Sequence, residues 1–300
     1  MHQEPSDRLL IPAALGPAPT FFATSLFSSE FTTRSMPFRP PSGISLGRGA
    51  PFDLHRQEKM DLWRFLRGIY QRLPPPPSTN FASCVVRPSP YDLLPPDPII
   101  YDIGAKDARA AYFGGPPQGA TIICTDIQPG PGVDIVADAQ HMPQLASESA
   151  DCVFLVSVLQ HIPSPQKAVD EVFRVLRPGG IFYVNVPFIF FYTEDPVDFF
   201  RFSVPGLECL CSRFERINSG SQRGPASTFC DLLIRFLAIL FSFNSEVLYA
   251  ANVYCGKWAL SWIKYLDIVI ARYSVAYLMW GSPYFLGRKP PPSRQSFSGK

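Results

Sequence analysis

Pro98-Ile-Ile-Tyr-Asp-Ile-Gly104 reads as a buried strand that ends in an acid and a glycine, where the chain must turn sharply and can pass close to a ligand. A second strand follows, Ala120-Thr-Ile-Ile-Cys-Thr-Asp126, whose terminal carboxylate stands 24 residues after Asp102. Sheets that hold a nucleoside place an acid for the ribose hydroxyls at an interval of roughly 20 residues. A third run, Val133-Asp-Ile-Val-Ala-Asp138, again closes on aspartate.

The next stretch supplies the other half of a doubly wound unit. Asp151-Cys-Val-Phe-Leu-Val-Ser157 is a strand, Leu159-Gln-His-Ile-Pro163 a loop, and a helix follows. Ser164 is placed to cap that helix and Pro165 suits its first turn. Ala168, Val169, Val172, Phe173, Val175 and Leu176 form one apolar face, while Asp170 and Arg174 can pair on the other. Pro178-Gly179-Gly180 stops the helix, and Ile181-Phe-Tyr-Val-Asn-Val186 begins the next strand. The strands are apolar at nearly every position, so both faces of the sheet should be covered. The expected fold is therefore α/β, a Rossmann-like, doubly wound, mainly parallel sheet.

Four phrases then carry a resemblance: Asp138-Ala-Gln-His-Met-Pro143, Ser149-Ala-Asp-Cys-Val-Phe154, Val158-Leu-Gln-His-Ile-Pro163 and Phe173-Arg-Val-Leu-Arg-Pro-Gly-Gly180. As a set they resemble the class I S-adenosylmethionine-dependent methyltransferases, specifically the type 11, small-molecule group. The string Pro187-Phe-Ile-Phe-Phe-Tyr-Thr-Glu-Asp-Pro-Val-Asp-Phe-Phe-Arg-Phe-Ser203 is similar to a post-sheet insert found in a bacterial-type subset of that group. The likeness covers roughly residues 98 to 220. The chain departs from the usual pattern at Lys106, where a second glycine is common, at Gln160, where glutamate is common, and at Thr193, where histidine often stands. A short helix of about two turns is expected over Ala108 to Phe113, before Gly114-Gly-Pro-Pro117 breaks it.

The resemblance implies S-adenosylmethionine as cofactor and distributes its contacts over three strand ends. Backbone around Gly104 and Ala105 would approach the methionine part, and Asp102 and aromatic surface such as Tyr101 or Phe188 would face the sulfonium. Asp126, followed by Ile127, would take the ribose hydroxyls as a charge-assisted contact. Asp138, the backbone of Ala139 and the side chain of Gln140 would meet the adenine amino edge. Ser157, Gln160 and His161, with Tyr192, Asp195, Asp198 and Arg201 of the insert, are candidates to shape the acceptor site. His161, Asp198 and Arg201 are the catalytic candidates, each with a plainer reading. A histidine after a buried strand ordinarily packs in its loop, and an acid and an arginine three apart can simply pair.

Composition frames the rest. The chain has 300 residues, a net charge of +2 and 33 prolines, which gather before residue 98 and again at Pro290 to Pro292. Basic residues are scattered rather than striped, so nothing points to nucleic acid as a partner. Seven cysteines form an odd set, two of them inside core strands, which fits reduced thiols and a cytoplasmic setting. Cys209-Leu-Cys211 has no second ligand pair at metal spacing, and no metal is expected. The organisation read from sequence is a disordered tail over 1–50, a helix near Arg56 to Arg72 and a proline-rich linker within 51–97, a methyltransferase domain over 98–228, an apolar helical C-terminal extension over 229–286 and a second tail over 287–300.

Residues 229–286 are rich in Leu, Ile, Phe, Trp and Tyr but are broken by Arg235, Glu246, Lys257, Lys264, Asp267 and Arg272, so no run reaches the roughly 18 apolar residues that span a bilayer. They can cap the sheet, or lie on a membrane and collect a lipid-linked substrate. The functional expectation is methyl transfer from S-adenosylmethionine to a small or lipid-linked acceptor. Its alternative is a catalytically degenerate relative serving as a binding or membrane-associated scaffold. A nicotinamide-dependent oxidoreductase would need glycines where Lys106 and Asp107 stand.

Overall fold

The computed structural model describes residues 73–81, 88–105, 110–193 and 196–291. The helix expected near Arg56 to Arg72 and both expected tails lie outside these residues, apart from residues 287–291.

Ile99–Ile103 forms β1, and its β-branched residues fill both faces of a pleat that is buried on each side. Thr121–Asp126 (β2) pairs beside it in parallel, Ile135–Val136 (β3) follows outward, and Ala150–Val156 (β4) pairs parallel on the other flank. Leu176–Asn185 (β5) continues the parallel set. Glu215–Ser221 (β6) and Pro283–Arg288 (β7) complete a seven-stranded sheet ordered β3-β2-β1-β4-β5-β7-β6, with β7 antiparallel to both of its neighbours. The order reverses between β1 and β4, and in open α/β sheets the ligand crevice lies at such a reversal, beyond the carboxyl ends of the strands.

The connection from β4 to β5 is helix α1, Pro165–Val175. Its Ala168, Val169, Val172 and Val175 are fully buried, as their spacing predicts. Helix α1 ends at Val175 because Pro178 drives the residue before it to extended backbone, so Leu176 already belongs to β5. Ser164 occupies the N-cap position, but its side chain caps nothing; instead its N–H donates to Gln140 Oε1 at 3.2 Å. The Asp170–Arg174 pair does not form. Arg174 turns to Glu171 at 2.8 Å and donates to the carbonyls of Leu145 and Met142, stapling α1 to the loop before β4, while Asp170 meets Arg213 at 2.9 Å.

The sheet's two faces are covered differently. Helix α1 and the short helix α2, Val204–Leu210, pack on Tyr101, Ile103, Val153, Leu155, Phe182 and Val184. On the other face Ile100, Phe154, Tyr183 and Leu286 meet loop aromatics, Tyr91, Tyr112 and Phe113. The helix expected over Ala108 to Phe113 is absent over 110–113, because Ala110 and Phe113 both have positive φ, which no right-handed helix admits. Residues 106–109 lie outside the described set.

The apolar segment near the C-terminus is an insertion rather than an extension. Helices α3 (Pro225–Leu240), α4 (Glu246–Leu260) and α5 (Asp267–Ile270) stand between β6 and β7. The chain then returns as β7 between β5 and the edge strand β6, where Pro283 through Gly287 are buried. Among the described residues no helix is long and apolar enough to cross a membrane.

Candidate active site

Each of the acids expected at a strand end sits at the carboxyl edge of the sheet, but they are held by different partners. Asp102 is completely buried. Its Oδ2 accepts from the Ala110 N–H at 2.5 Å and its Oδ1 from the Tyr112 hydroxyl at 3.3 Å. Burial pushes its pKa up to about 7 against the lowering effect of these two donors. Asp102 thus fixes the loop that leaves β1, and Tyr91 adds a second tie by donating its hydroxyl to the Ala110 carbonyl. The same surroundings raise the Tyr91 and Tyr112 hydroxyls well above the ordinary tyrosine range, through burial first, then Cys152 and Asp102 beside Tyr91 and Asp102 beside Tyr112.

Gly104 follows with φ +71, and its N–H donates to the Thr125 carbonyl at 2.6 Å, tying the β1 turn to β2. A Cβ there would come within 2.5 Å of Val158 Cγ2. The glycine is therefore demanded by the loop after β4 as well as by its own left-handed backbone. Ala105 is half-buried beside it, and Lys106 and Asp107 lie outside the described residues.

Asp126 closes β2. Its Oδ1 accepts from the Gln128 N–H at 3.0 Å and its carbonyl from Ala137 at 2.9 Å, which orients the carboxylate. Ile127, next in sequence, is 65% exposed, so an acid and an uncovered apolar surface stand side by side. Asp138 Oδ1 accepts from the Gln140 backbone at 2.9 Å, and both Asp138 oxygens lie 3.2 Å from Gln140 Nε2. With its Oε1 taken by Ser164, the Gln140 amide is committed within the protein, and half-buried Ala139 stands between the two.

On the β4 side Ser157 has φ +56, with its N–H on the Asn185 carbonyl and its own carbonyl accepting from Gln160 Nε2 at 2.8 Å. Gln160 is buried, and its Oε1 has no donor among the described residues. Its carbonyl accepts from the N–H groups of Phe199 and Phe200, which pins the insert of residues 187–203 over this loop. His161 Nδ1 lies 3.0 Å from the Val197 carbonyl. A carbonyl only accepts, so Nδ1 carries the proton and Nε2 of the neutral ring keeps a lone pair.

Asp198 and Arg201 pair through two hydrogen bonds, and Arg201 also donates to the Phe191 carbonyl at 3.0 Å. Asp198 further accepts from the Thr193 N–H at 3.2 Å. Their contacts brace the insert. Tyr192 is 61% exposed on its surface, and Asp195 lies outside the described residues.

A second brace joins residues far apart in the sequence. Phe190 and Phe191 stack with centroids 4.1 Å apart, and the guanidinium groups of Arg223 and Arg235 lie over them at 5.3 and 3.2 Å. Both arginines approach Asp231 of α3, at 4.0 and 3.7 Å. No sequence spacing could have paired residues 190–191 with 223 and 235. A cavity of about 180 Å³ lined by Leu93, Asp151, Arg177 and Gly179 lies at the opposite, amino-terminal edge of the sheet and takes no part in this site.

These residues fit a nucleoside cofactor. The oriented carboxylate of Asp126, the uncovered Ile127 beside it, the orphan acceptor on Gln160 and the glycine turn after β1 meet the needs of a ribose, a ring, a polar tail and a close backbone approach.

Residues 109–184 match the family model described as a methyltransferase domain. Thiol S-methyltransferase TMT1B of Mus musculus is 36% identical over 91 residues, 24% of this chain and 36% of that protein. The Homo sapiens protein of the same name is 47% identical over 49 residues, 16% of this chain and 20% of its own. The chain thus spans about a third of the mouse relative's length and a fifth of the human one's. Among solved structures, a Haemonchus contortus phosphoethanolamine N-methyltransferase 2 in complex with S-adenosyl-L-methionine is similar at 15% identity and TM-score 0.42, over 67% of this chain and 50% of that one. A Burkholderia thailandensis 1,6-didemethyltoxoflavin-N1-methyltransferase is similar at 13% identity and TM-score 0.42, over 80% and 92%.

Proposed function

We propose, on the premise that residues 109–184 match the methyltransferase-domain family model, that the chain transfers a methyl group from S-adenosylmethionine to a small, apolar acceptor whose attacking atom is a thiol sulfur. The observation that carries the cofactor half is the oriented Asp126 carboxylate beside exposed Ile127 at the end of β2. The acceptor half is supported by the thiol S-methyltransferase relatives and by the aromatic insert that Gln160, Arg223 and Arg235 hold over the β4 loop.

The cofactor, when bound, supplies an electrophilic methyl carbon on a sulfonium. Asp126 would accept hydrogen bonds from the ribose hydroxyls, and Ile127 would offer an apolar surface to the adenine ring. The glycine turn at Gly104 and Ala105 leaves backbone free to approach the methionine part. His161 Nε2 takes the proton of the acceptor thiol, since its Nδ1 is already committed to Val197. The stacked Phe190 and Phe191 exclude water from the acceptor, and the Asp198–Arg201 pair holds their loop in place. Holding acceptor and donor in line supplies much of the rate.

Calorimetric titration with S-adenosylmethionine, beside an Asp126→Ala variant and with NAD as control, tests the first half. Saturable binding that the variant loses by at least about tenfold is the expected result; a folded wild-type protein that takes up none leaves the scaffold reading instead. Labelled methyl transfer to a small aromatic thiol, compared with the matching phenol and amine, tests the second. His161→Gln should then lower the rate by about a hundredfold.

A further inference from the structure

Most of the large apolar side chains that the described residues expose lie in the insertion between β6 and β7. Trp262, Ile268, Val269, Tyr277 and Leu278 are each half uncovered or more. The insertion's own core is small: Ala226, Cys230, Ile234, Ala238, Val253 and Ile263, with Leu233, Tyr249, Leu260 and Ile270 packed against it. These helices therefore bury few of their large apolar side chains and turn many outward, an arrangement that does not suit water.

Their charges follow a second pattern. Asp267 is buried, accepting from the Ala226 and Ser227 N–H groups at 2.8 and 2.9 Å. Asp231 is buried between Thr79, Arg223 and Arg235. Two of the insertion's three acids are thus withdrawn from its surface, as are the bases Arg223, Arg235 and Lys264, which leaves Glu246 and Arg272 exposed and Lys257 half-buried, a small positive excess. The proline-rich stretch from Leu73 is tied to the insertion, with the Pro74 carbonyl accepting from the Tyr254 hydroxyl at 2.9 Å and the Ser78 carbonyl from Lys264 at 2.6 Å.

We propose that the β6–β7 insertion is the face on which this protein rests against an anionic lipid bilayer. Tryptophan and tyrosine, each an apolar body with a polar tip, suit the headgroup boundary, and exposed Ile, Val and Leu enter the acyl layer. Arg272 and Lys257 meet lipid phosphate. The face is joined to the acceptor side of the sheet, since Phe188 donates its N–H to the Gly281 carbonyl at 2.9 Å and Arg235 stacks on Phe191.

Co-sedimentation of the full chain with vesicles of phosphatidylcholine, or of phosphatidylcholine and phosphatidylserine, tests this without reference to methyl transfer. The wild type should pellet with the anionic vesicles, and a Trp262→Ser, Ile268→Ser, Leu278→Ser triple variant should bind at least about tenfold less at an unchanged unfolding midpoint. Arg272→Glu should lower binding to anionic vesicles alone. A wild type that stays in the supernatant, or a triple variant that pellets equally, overturns the proposal. Sedimentation velocity covers the main competitor: a dimer that the same variant splits, in a protein that ignores vesicles, would assign the face to a second copy of the chain.

Discussion

Phe154 in β4 and Leu278 between α5 and β7 are both large apolar side chains, yet the first is fully buried and the second is 63% exposed. Phe154 lies within ring-contact distance of Tyr91, Tyr112, Phe113 and Tyr183, with centroids 5.3 to 6.4 Å away. Leu278 belongs to a turn that packs on α3 through Ala276, leaving its own side chain outward. The sheet spends its apolar residues on stability. The insertion keeps many of its largest for a surface. Hydrophobicity alone therefore cannot tell the two regions apart, and mutation can.

The largest effect is expected in the sheet. Phe154→Ala removes the ring at the meeting point of four others and leaves a cavity, at a cost of about 4 kcal/mol. Denaturant titration checks it; a loss under about 1 kcal/mol would mean that the loop aromatics collapse into the gap and that this face of the sheet is not a fixed core.

Next stands Gly104→Ala, which adds a methyl group 2.5 Å from Val158 Cγ2 on a backbone at φ +71. Left-handed strain and overpacking together should cost about 2–3 kcal/mol. Gly104→Ala with Val158→Ala should regain the packing part and keep the strain. If the double variant is no better than the sum of its parts, the two loops do not touch as described.

Asp102→Asn separates a structural acid from a cofactor contact. The folded carboxyl, at about 7, holds its proton more tightly than an unfolded aspartate, so between about pH 4 and 7 the native state binds the extra proton. Stability from this group is full at low pH and is lost as pH rises through 7, by at most about 4 kcal/mol. The asparagine variant should lose that slope, and above pH 7 it should be as stable as the wild type or more so. Unfolding midpoints across pH 4 to 8 report this; an unchanged slope would place the titration elsewhere.

These residues also show what could be read without coordinates. Ile99–Ile103, Thr121–Asp126 and Ala150–Val156 announce themselves as apolar runs closed by turns, and α1 by its periodicity and Pro165. The acids at the strand ends are equally visible, because an aspartate that closes a buried strand has few other uses. What each acid faces is not visible: Asp102 is claimed by Ala110, eight residues on, in a turn whose positive φ no propensity announces. Strand β7 was hidden for a different reason. Tyr284, Phe285 and Leu286 are all buried between β5 and β6, and a short, wholly apolar run after a helical stretch has no period to mark it as a strand.

The smallest effect belongs to the insertion. Leu278→Ser replaces a side chain that is mostly in water already, so the folded state gives up little burial and the unfolding free energy should move by less than about 0.5 kcal/mol. Set against Phe154→Ala, the same class of truncation then differs by nearly an order of magnitude, and the difference comes from position alone. The contrast sharpens when vesicles are added. A lipid surface that covers Leu278 stabilises the wild type by mass action and the variant less, so the gap between their unfolding midpoints should widen with lipid concentration and stay fixed for the Phe154→Ala pair. A Leu278→Ser cost above about 2 kcal/mol in plain buffer would show instead that this side chain is covered within the protein, and the contrast between sheet and insertion would fail at its clearest point.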